Sequence, residues 1–206
     1  MQLQSADPGG VISSHVPADN IVGCVVYPAA LIAEPGVIEH IEGNRFSIGE
    51  LDGSTSERCR ALSGAISAAG LRAPIRSNIR QEIWVKLLGN LAFNPISALT
   101  TASLAEITAD PDVSAVVRAM MTEAQAVATA LGVELPISID KRIAGAGEVG
   151  DHKTSMLQDL ESAKPTEIEG LVGTVLELGR MLQQSMPYTE TVYACAKLLS
   201  AKTVAT

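Results

Sequence analysis

Hydrophobic positions along the chain fall into two textures, with a change near residue 76. Before about residue 54 the apolar residues are often β-branched and come in short runs between turn signals. Ile21-Val22-Gly23-Cys24-Val25-Val26-Tyr27 is an apolar run closed by Pro28, and it predicts a buried strand. After Pro35-Gly36, the stretch Val37-Ile38-Glu39-His40-Ile41 predicts a second strand. Gly43-Asn44 ahead of Arg45-Phe46-Ser47-Ile48-Gly49 predicts a hairpin-like return. Ser54 to Ala69 reads as a helix with Leu62, Ala65, Ile66 and Ala69 on one face and Gly70 as its stop. Ala73-Pro74-Ile75 is one more short extended piece.

From about Ser77 the period becomes helical. Asn78 is placed to cap a helix carrying Ile79, Ile83, Trp84, Leu87, Leu88 and Leu91, which Pro95 should kink or end. Asp112 through Leu131 is a strong helix stopped by Gly132. Another runs from about Ser138 to Ala146 and leads into a Gly-rich loop. Ser155 starts a short helix that stops before Lys164-Pro165. Thr166 starts a long one reaching about Gln183, and Pro187 suits the first turn of a last helix ending near Ala201. There is no internal repeat and no low-complexity tract. The expected division is a β-rich region, residues 1–76, followed by a helical domain, residues 77–206, so the fold class is mainly α.

With 206 residues, 47% hydrophobic and 18% charged, the chain can bury a core and is not disordered. That core is mostly aliphatic, because one Trp, three Tyr and two Phe are its only aromatics. Fifteen basic against 23 acidic residues give a net charge of −8, which opposes a phosphate-backbone binder but allows a local pocket for a small anion. No nucleic-acid partner is expected. No apolar run is long enough to span a bilayer, and Met1-Gln2-Leu3-Gln4 does not open a secretory signal, so no membrane association and a reduced cytoplasmic location are expected. Cys24, Cys59 and Cys195 are odd in number and far apart, and form neither a disulfide framework nor a metal pair.

Gly145-Ala146-Gly147-Glu148-Val149-Gly150 matches G-x-G-x-x-G. That motif holds a dinucleotide only between a strand and a helix, with helix N–H groups facing the pyrophosphate. Here a helix-like stretch precedes it, so a flexible loop is expected. There is no HExxH, GxSxG or zinc spacing, and no metal is expected. His15, His40 and His152 are isolated and read as surface or structural residues.

The chemistry-bearing pattern is Trp84-Val85-Lys86-Leu87-Leu88-Gly89-Asn90-Leu91-Ala92-Phe93-Asn94-Pro95. Lys86, Asn90 and Asn94 recur every fourth residue and share one helix stripe amid apolar neighbours. Such a stripe is either solvated or faces a ligand. Further on, Ser155 with Gln158 and Thr166 with Glu169 each fit a capping box. Glu167 then sits in a first helical turn, where the dipole favours a carboxylate. Taken together, a Lys, two amides, a hydroxyl and a Glu could bind a small polar acid, with the Lys giving a proton to a developing alkoxide.

These residues resemble the 2-dehydropantoate 2-reductase (ketopantoate reductase) family. The resemblance rests on Trp84, Lys86, Asn90 and Asn94-Pro95; on Ser155-Met156-Leu157-Gln158-Asp159; and on Pro165-Thr166-Glu167-Ile168-Glu169 with Gly173. Gly23-Cys24-Val25-Val26, Glu34-Pro35-Gly36-Val37-Ile38-Glu39-His40 and Ile48-Gly49-Glu50 are similar to the end of that family's cofactor domain. The resemblance implies a remnant of an NADP-binding Rossmann-type domain before a helical domain of the 6-phosphogluconate-dehydrogenase-like type, with the site in the cleft between. It implies NADPH-dependent reduction of a 2-keto acid, 2-dehydropantoate to pantoate, a step of pantothenate biosynthesis. Lys86 would be the general acid and Glu167 would hold the substrate hydroxyl and border the cofactor. Asn90, Asn94 and Ser155 would line the substrate pocket. A homodimer is also implied.

The chain departs from that family in beginning where the cofactor domain is nearly finished, which makes NADP binding by this chain alone doubtful. Gln4-Ser5-Ala6 stands where the family has a Gln-Asn-Gly turn. The competing reading is a non-catalytic helical dimerisation or interaction module, for which the apolar stripe Val113, Val116, Val117, Met120 and Met121 offers a face, although such stripes are more often core than partner surface.

Overall fold

A computed structural model describes residues 2–204. The chain divides into two compact units: His15–Ile83, and the N-terminal residues through Ser14 together with everything from Trp84 onward.

Asp7 accepts hydrogen bonds from the backbone N–H groups of Ile12 and Ser13, at 2.7 and 3.0 Å, and so caps helix α1, Val11–His15. In the unit from His15 to Ile83, strands β1 (Gly23–Val26) and β4 (Phe46–Gly49) pair antiparallel, and so do β2 (Ala29–Glu34) and β3 (Val37–Glu42). The expected return after Gly43-Asn44 is therefore made to β1, not to the strand before it. β2 carries no turn signal of its own before Pro35-Gly36, and the sequence pattern missed it. β1 alternates buried and exposed positions instead of being buried throughout, because only one of its faces is covered. Residues 72–75 do run extended beside β4, bridging Arg45 with Arg72 and Ile48 with Ile75.

Helix α2, Glu57–Ala68, is capped by Ser56, whose hydroxyl accepts from Cys59 N–H. Its expected apolar face is not its buried one. Leu62, Ala65 and Ala69 are exposed, Ile66 is half-buried, and the helix rests on fully buried Cys59. Two carboxylates tie this unit together. Glu82 accepts from Tyr27 Oη and Ser47 Oγ, each at 2.9 Å, with the Arg45 and Arg76 guanidiniums at 3.6 Å. Buried Glu50 accepts from Arg58 Nε at 2.7 Å and Nη2 at 2.5 Å, and from the Ser56 hydroxyl. A Cβ at Gly49 would strike the Arg76 carbonyl and lie 3.0 Å from Ile79 Cβ, so Gly49 is what lets β4 pass the start of the next helix.

That helix, α3, spans Ile79–Thr100, and the Asn78 side chain accepts from Gln81 N–H as expected. It continues past Pro95 to Thr100, so the proline does not end it. Every residue from Leu91 to Ala98 is buried, and that packing outweighs the one backbone hydrogen bond proline cannot make.

The helices that follow are α4 (Leu104–Ala109), α5 (Pro111–Ala130), α6 (Ile139–Gly147), α7 (Ser155–Glu161), α8 (Thr174–Met181) and α9 (Pro187–Val204), with α5 packed against α4, α6, α8 and α9. Ser103 and Glu106 form a capping box on α4, an element the sequence pattern missed. The core includes Leu88, Leu91, Val117, Met120, Met121, Val127, Val172 and Leu176, all essentially without exposure. Each contributes about 1.5–3 kcal/mol from apolar burial. Val117, Met120 and Met121 are core, and Val113 and Val116 pack against it, so the α5 stripe is not a partner surface.

The helix expected from Thr166 begins later, at Ile168, and its first turn is wide. Glu169–Gly173 is a π-helical segment, which leads into α8. A Cβ at Gly173 would lie 2.8 Å from Glu169 Oε2, so this glycine makes room for the carboxylate at the wide turn.

Candidate functional site

The polar stripe forms as its spacing requires. Along α3, Lys86 and Asn90 are half-buried and Asn94 is 5% exposed. An amide that deep needs partners. One comes from α7: Asn94 Nδ2 donates to Ser155 Oγ across 3.4 Å, a long hydrogen bond that joins residues 61 positions apart in sequence. Ser155 is itself exposed, so its hydroxyl presents a polar edge beside the amide.

Ser155 is not the cap of α7. Thr154 is: its hydroxyl accepts from Leu157 N–H at 3.4 Å, and Gln158 donates instead to the Lys153 carbonyl at 2.9 Å. Ser155 is the first residue inside the helix, and its hydroxyl is left for Asn94.

The second expected capping box is also absent. Thr166 Oγ1 donates to Ser200 Oγ at 2.8 Å, and Glu169 accepts from Tyr193 Oη at 2.7 Å and pairs with Lys197 at 2.6 Å. Lys197 holds the Glu169 carboxyl below its usual range, with Tyr193 adding a hydrogen bond. Burial and Glu169 push the Tyr193 phenol up, so Tyr193 is a donor here and not a base. Glu167 precedes the helix, not in its first turn. It is exposed, and its carbonyl accepts the opening bond from Leu171 N–H at 2.9 Å.

Near the N-terminus, Gln4 and Ser5 are committed to α8. Glu177 accepts from Gln4 N–H at 2.8 Å, from Ser5 N–H at 2.9 Å and from Ser5 Oγ at 2.5 Å. Ser5, Glu169, Gly173, Glu177, Arg180 and Tyr193 border a cleft of about 140 Å³.

The G-x-G-x-x-G stretch lies at the C-terminal end of α6 and not after a strand. Helix carbonyls, not N–H groups, point out of that end, and they repel a phosphate. Of its glycines, Gly147 has a packing role and Gly150 a positive φ of 84°. A Cβ at Gly147 would lie 2.8 Å from Thr108 Oγ1 on α4, and the Gly150 and His152 carbonyls accept from Ala105 and Leu104 N–H, each at 3.1 Å. Among the described residues no strand, glycine turn and helix follow one another to hold a pyrophosphate, and no group of three metal-ligating side chains comes together. No described helix is long and apolar enough to cross a membrane.

One neighbour of the stripe escaped the sequence pattern. A Cβ at Gly89 would lie 2.7 Å from Cζ and 2.9 Å from Nε of Arg142 on α6. Gly89 lies about 60° round the helix from Lys86 but about 100° and 140° from Asn90 and Asn94, so Arg142 approaches α3 on the Lys86 side, away from the two amides. The available signal was a glycine in the middle of a buried, otherwise apolar helix, which marks a close approach.

Comparisons with known proteins agree with the motif set. Residues 78–200 match the family described as ketopantoate reductase PanE/ApbA C terminal. A 2-dehydropantoate 2-reductase of Mesorhizobium japonicum is 51% identical over 98% of this chain, and this chain spans 62% of that relative's length. The crystal structure of 2-dehydropantoate 2-reductase from Methylococcus capsulatus superposes with a TM-score of 0.86 at 32% identity, covering 96% of this chain and 68% of the other. A dimeric ketopantoate reductase from Staphylococcus aureus superposes at 0.75 and 25% identity, covering 92% and 65%.

Proposed function

The chain belongs to the ketopantoate reductase family, matching its C-terminal portion, and on that premise we propose that it provides the substrate-binding half of an NADPH-dependent reduction of 2-dehydropantoate to pantoate. The observation that carries this reading is the Asn94–Ser155 contact, which joins two motifs far apart in sequence into one polar edge on a buried helix. In such a reduction the 2-keto acid gains a hydride at the carbonyl carbon and a proton at its oxygen, while the reduced dinucleotide becomes NADP. The described residues offer no pyrophosphate cradle, so no hydride step is assigned to them.

Their contribution is to the other partner. The Lys86 ammonium donates a hydrogen bond to the ketone oxygen and then its proton as the alkoxide develops. Solvent reprotonates the amine. Asn90, Asn94 and Ser155 supply neutral donors and acceptors that orient the keto acid, and Glu167 accepts from its hydroxyl. A homodimer is the proposed assembly, as for the Staphylococcus aureus relative.

The test is NADPH oxidation, followed by absorbance, with ketopantoate and the purified 206-residue chain. Binding of NADPH and of ketopantoate is read in the same sample. Ketopantoate binding that weakens in Asn94→Ala supports the substrate-half reading, and turnover lost in Lys86→Ala supports the acid role. No ketopantoate binding by the wild-type chain overturns the reading, and turnover retained in Lys86→Ala overturns the role of Lys86.

A further inference from the structure

We infer that the outer face of α9 is where two copies of this chain pair, with the two helices antiparallel, an inference that rests on the proposed homodimer. One side of α9 anchors it to its own chain. Thr189 and Ala196 are buried there, and Val192 and Tyr193 pack against the core. On the opposite side Pro187, Thr191, Ala194, Leu198 and Ala201 fall within an arc of about 80°. All five are exposed, Leu198 to 60%. A surface helix ordinarily turns its polar residues outward. This one turns out two alanines, a leucine, a proline and a single hydroxyl, with Tyr188 and Cys195 at the margin, both exposed.

The spacing identifies what covers this face. The five positions are separated by four, three, four and three residues, the alternation that seats one helix against another. Ala194 and Ala201 are small enough to let a second helix backbone come close. A seam of that period fits a helix and does not fit a strand.

Charge decides which helix, and in which direction. Glu190 and Lys197 are seven residues apart and share one flank of the seam, while Lys202 lies on the other. Parallel pairing of two copies brings unlike flanks together and sets Lys197 against the partner's Lys202. Antiparallel pairing brings like flanks together in reversed order. Glu190 then meets the partner's Lys197, and the contact is made twice across a twofold axis. Within the chain Glu190 pairs with Arg180 at 3.2 Å and Lys197 with Glu169 at 2.6 Å, so the new contacts extend existing pairs, since a carboxylate accepts more than one donor. The outer face of α9 is thus complementary to itself, as a twofold interface requires. The seam is short, because α9 has 18 residues, and the dimer is expected to be reversible.

The test is sedimentation equilibrium of the 206-residue chain over a concentration series, with circular dichroism as the check on folding. The wild type is expected to dimerise. Leu198→Asp, at a position the monomer leaves exposed, is expected to weaken association by about 30-fold or more, the size of a central hot spot. Glu190→Lys and Lys197→Glu are each expected to associate weakly alone and more strongly when mixed, because the mixture restores both opposite-charge contacts. A wild-type dimer undisturbed by Leu198→Asp overturns the inference and leaves the homodimer standing. No gain on mixing the two charge variants overturns the antiparallel order, and the inference with it. A monomeric wild type overturns the homodimer and this inference together, and assigns the face to a different chain.

Discussion

Gly89 carries no side chain because the Arg142 guanidinium occupies the space a Cβ would fill. Helix propensity alone would make Gly89→Ala stabilising by up to about 1 kcal/mol. The guanidinium is the far end of a flexible side chain and can swing aside, which offsets part of that gain, so Gly89→Ala should change stability by less than about 1 kcal/mol, read by urea denaturation. Glu50 gives a second prediction at this scale. Arg58, with Ser56, holds its carboxyl at about 2 against an ordinary value of 4.5. As the pH falls the unfolded chain takes up this proton first, so the stability from the pair is full above about pH 4.5 and is lost on the way to 2. Glu50→Gln should be less stable than wild type at pH 7 and should lose less on acidification, measured by thermal melts from pH 7 to 3.

At the scale of elements, α7 shows why adjacent hydroxyls are not interchangeable. Thr154 is the cap and is buried, whereas Ser155 is inside the helix and faces Asn94. Thr154→Ala should cost about 1 kcal/mol of stability, while Ser155→Ala should leave the melting temperature nearly unchanged and weaken ketopantoate binding. Equal melting shifts in the two variants would contradict this assignment. The sequence pattern placed the cap one residue late because Ser and Thr satisfy the same rule, and only backbone geometry tells which hydroxyl reaches the N–H three residues on. The wide turn at Glu169–Gly173 was illegible for a similar reason. Its carboxylate is drawn to Tyr193 and Lys197 on α9, a partner 24 and 28 residues away.

For the whole molecule, the helical core explains how α3 tolerates a proline and a polar stripe together. Leu88, across the helix from the stripe, and Leu91, beside Asn94, are both fully buried and hold α3 in place from within. Leu91→Ala should remove about 2–5 kcal/mol and lower the unfolding midpoint in urea, with the far-UV signal of the folded state unchanged. A loss below about 1 kcal/mol would mean that α3 is not anchored there. The same core absorbs Val117, Met120 and Met121, as an apolar stripe of this kind more often does than it forms an interaction surface.

By itself the sequence determined the long helices α3, α5 and α9, with the Gly132 stop and the Pro187 start, and the spacing that puts Lys86, Asn90 and Asn94 on one stripe, because period and many stop signals are local properties read within a few residues. The family resemblance lay in the same local motifs. Only the tertiary structure decided that β4 pairs with β1, that α3 continues through Pro95, that Asn94 meets Ser155 and that Arg142 lies on Gly89. Each of these depends on residues brought together from distant parts of the chain, where burial and close packing outweigh local preference.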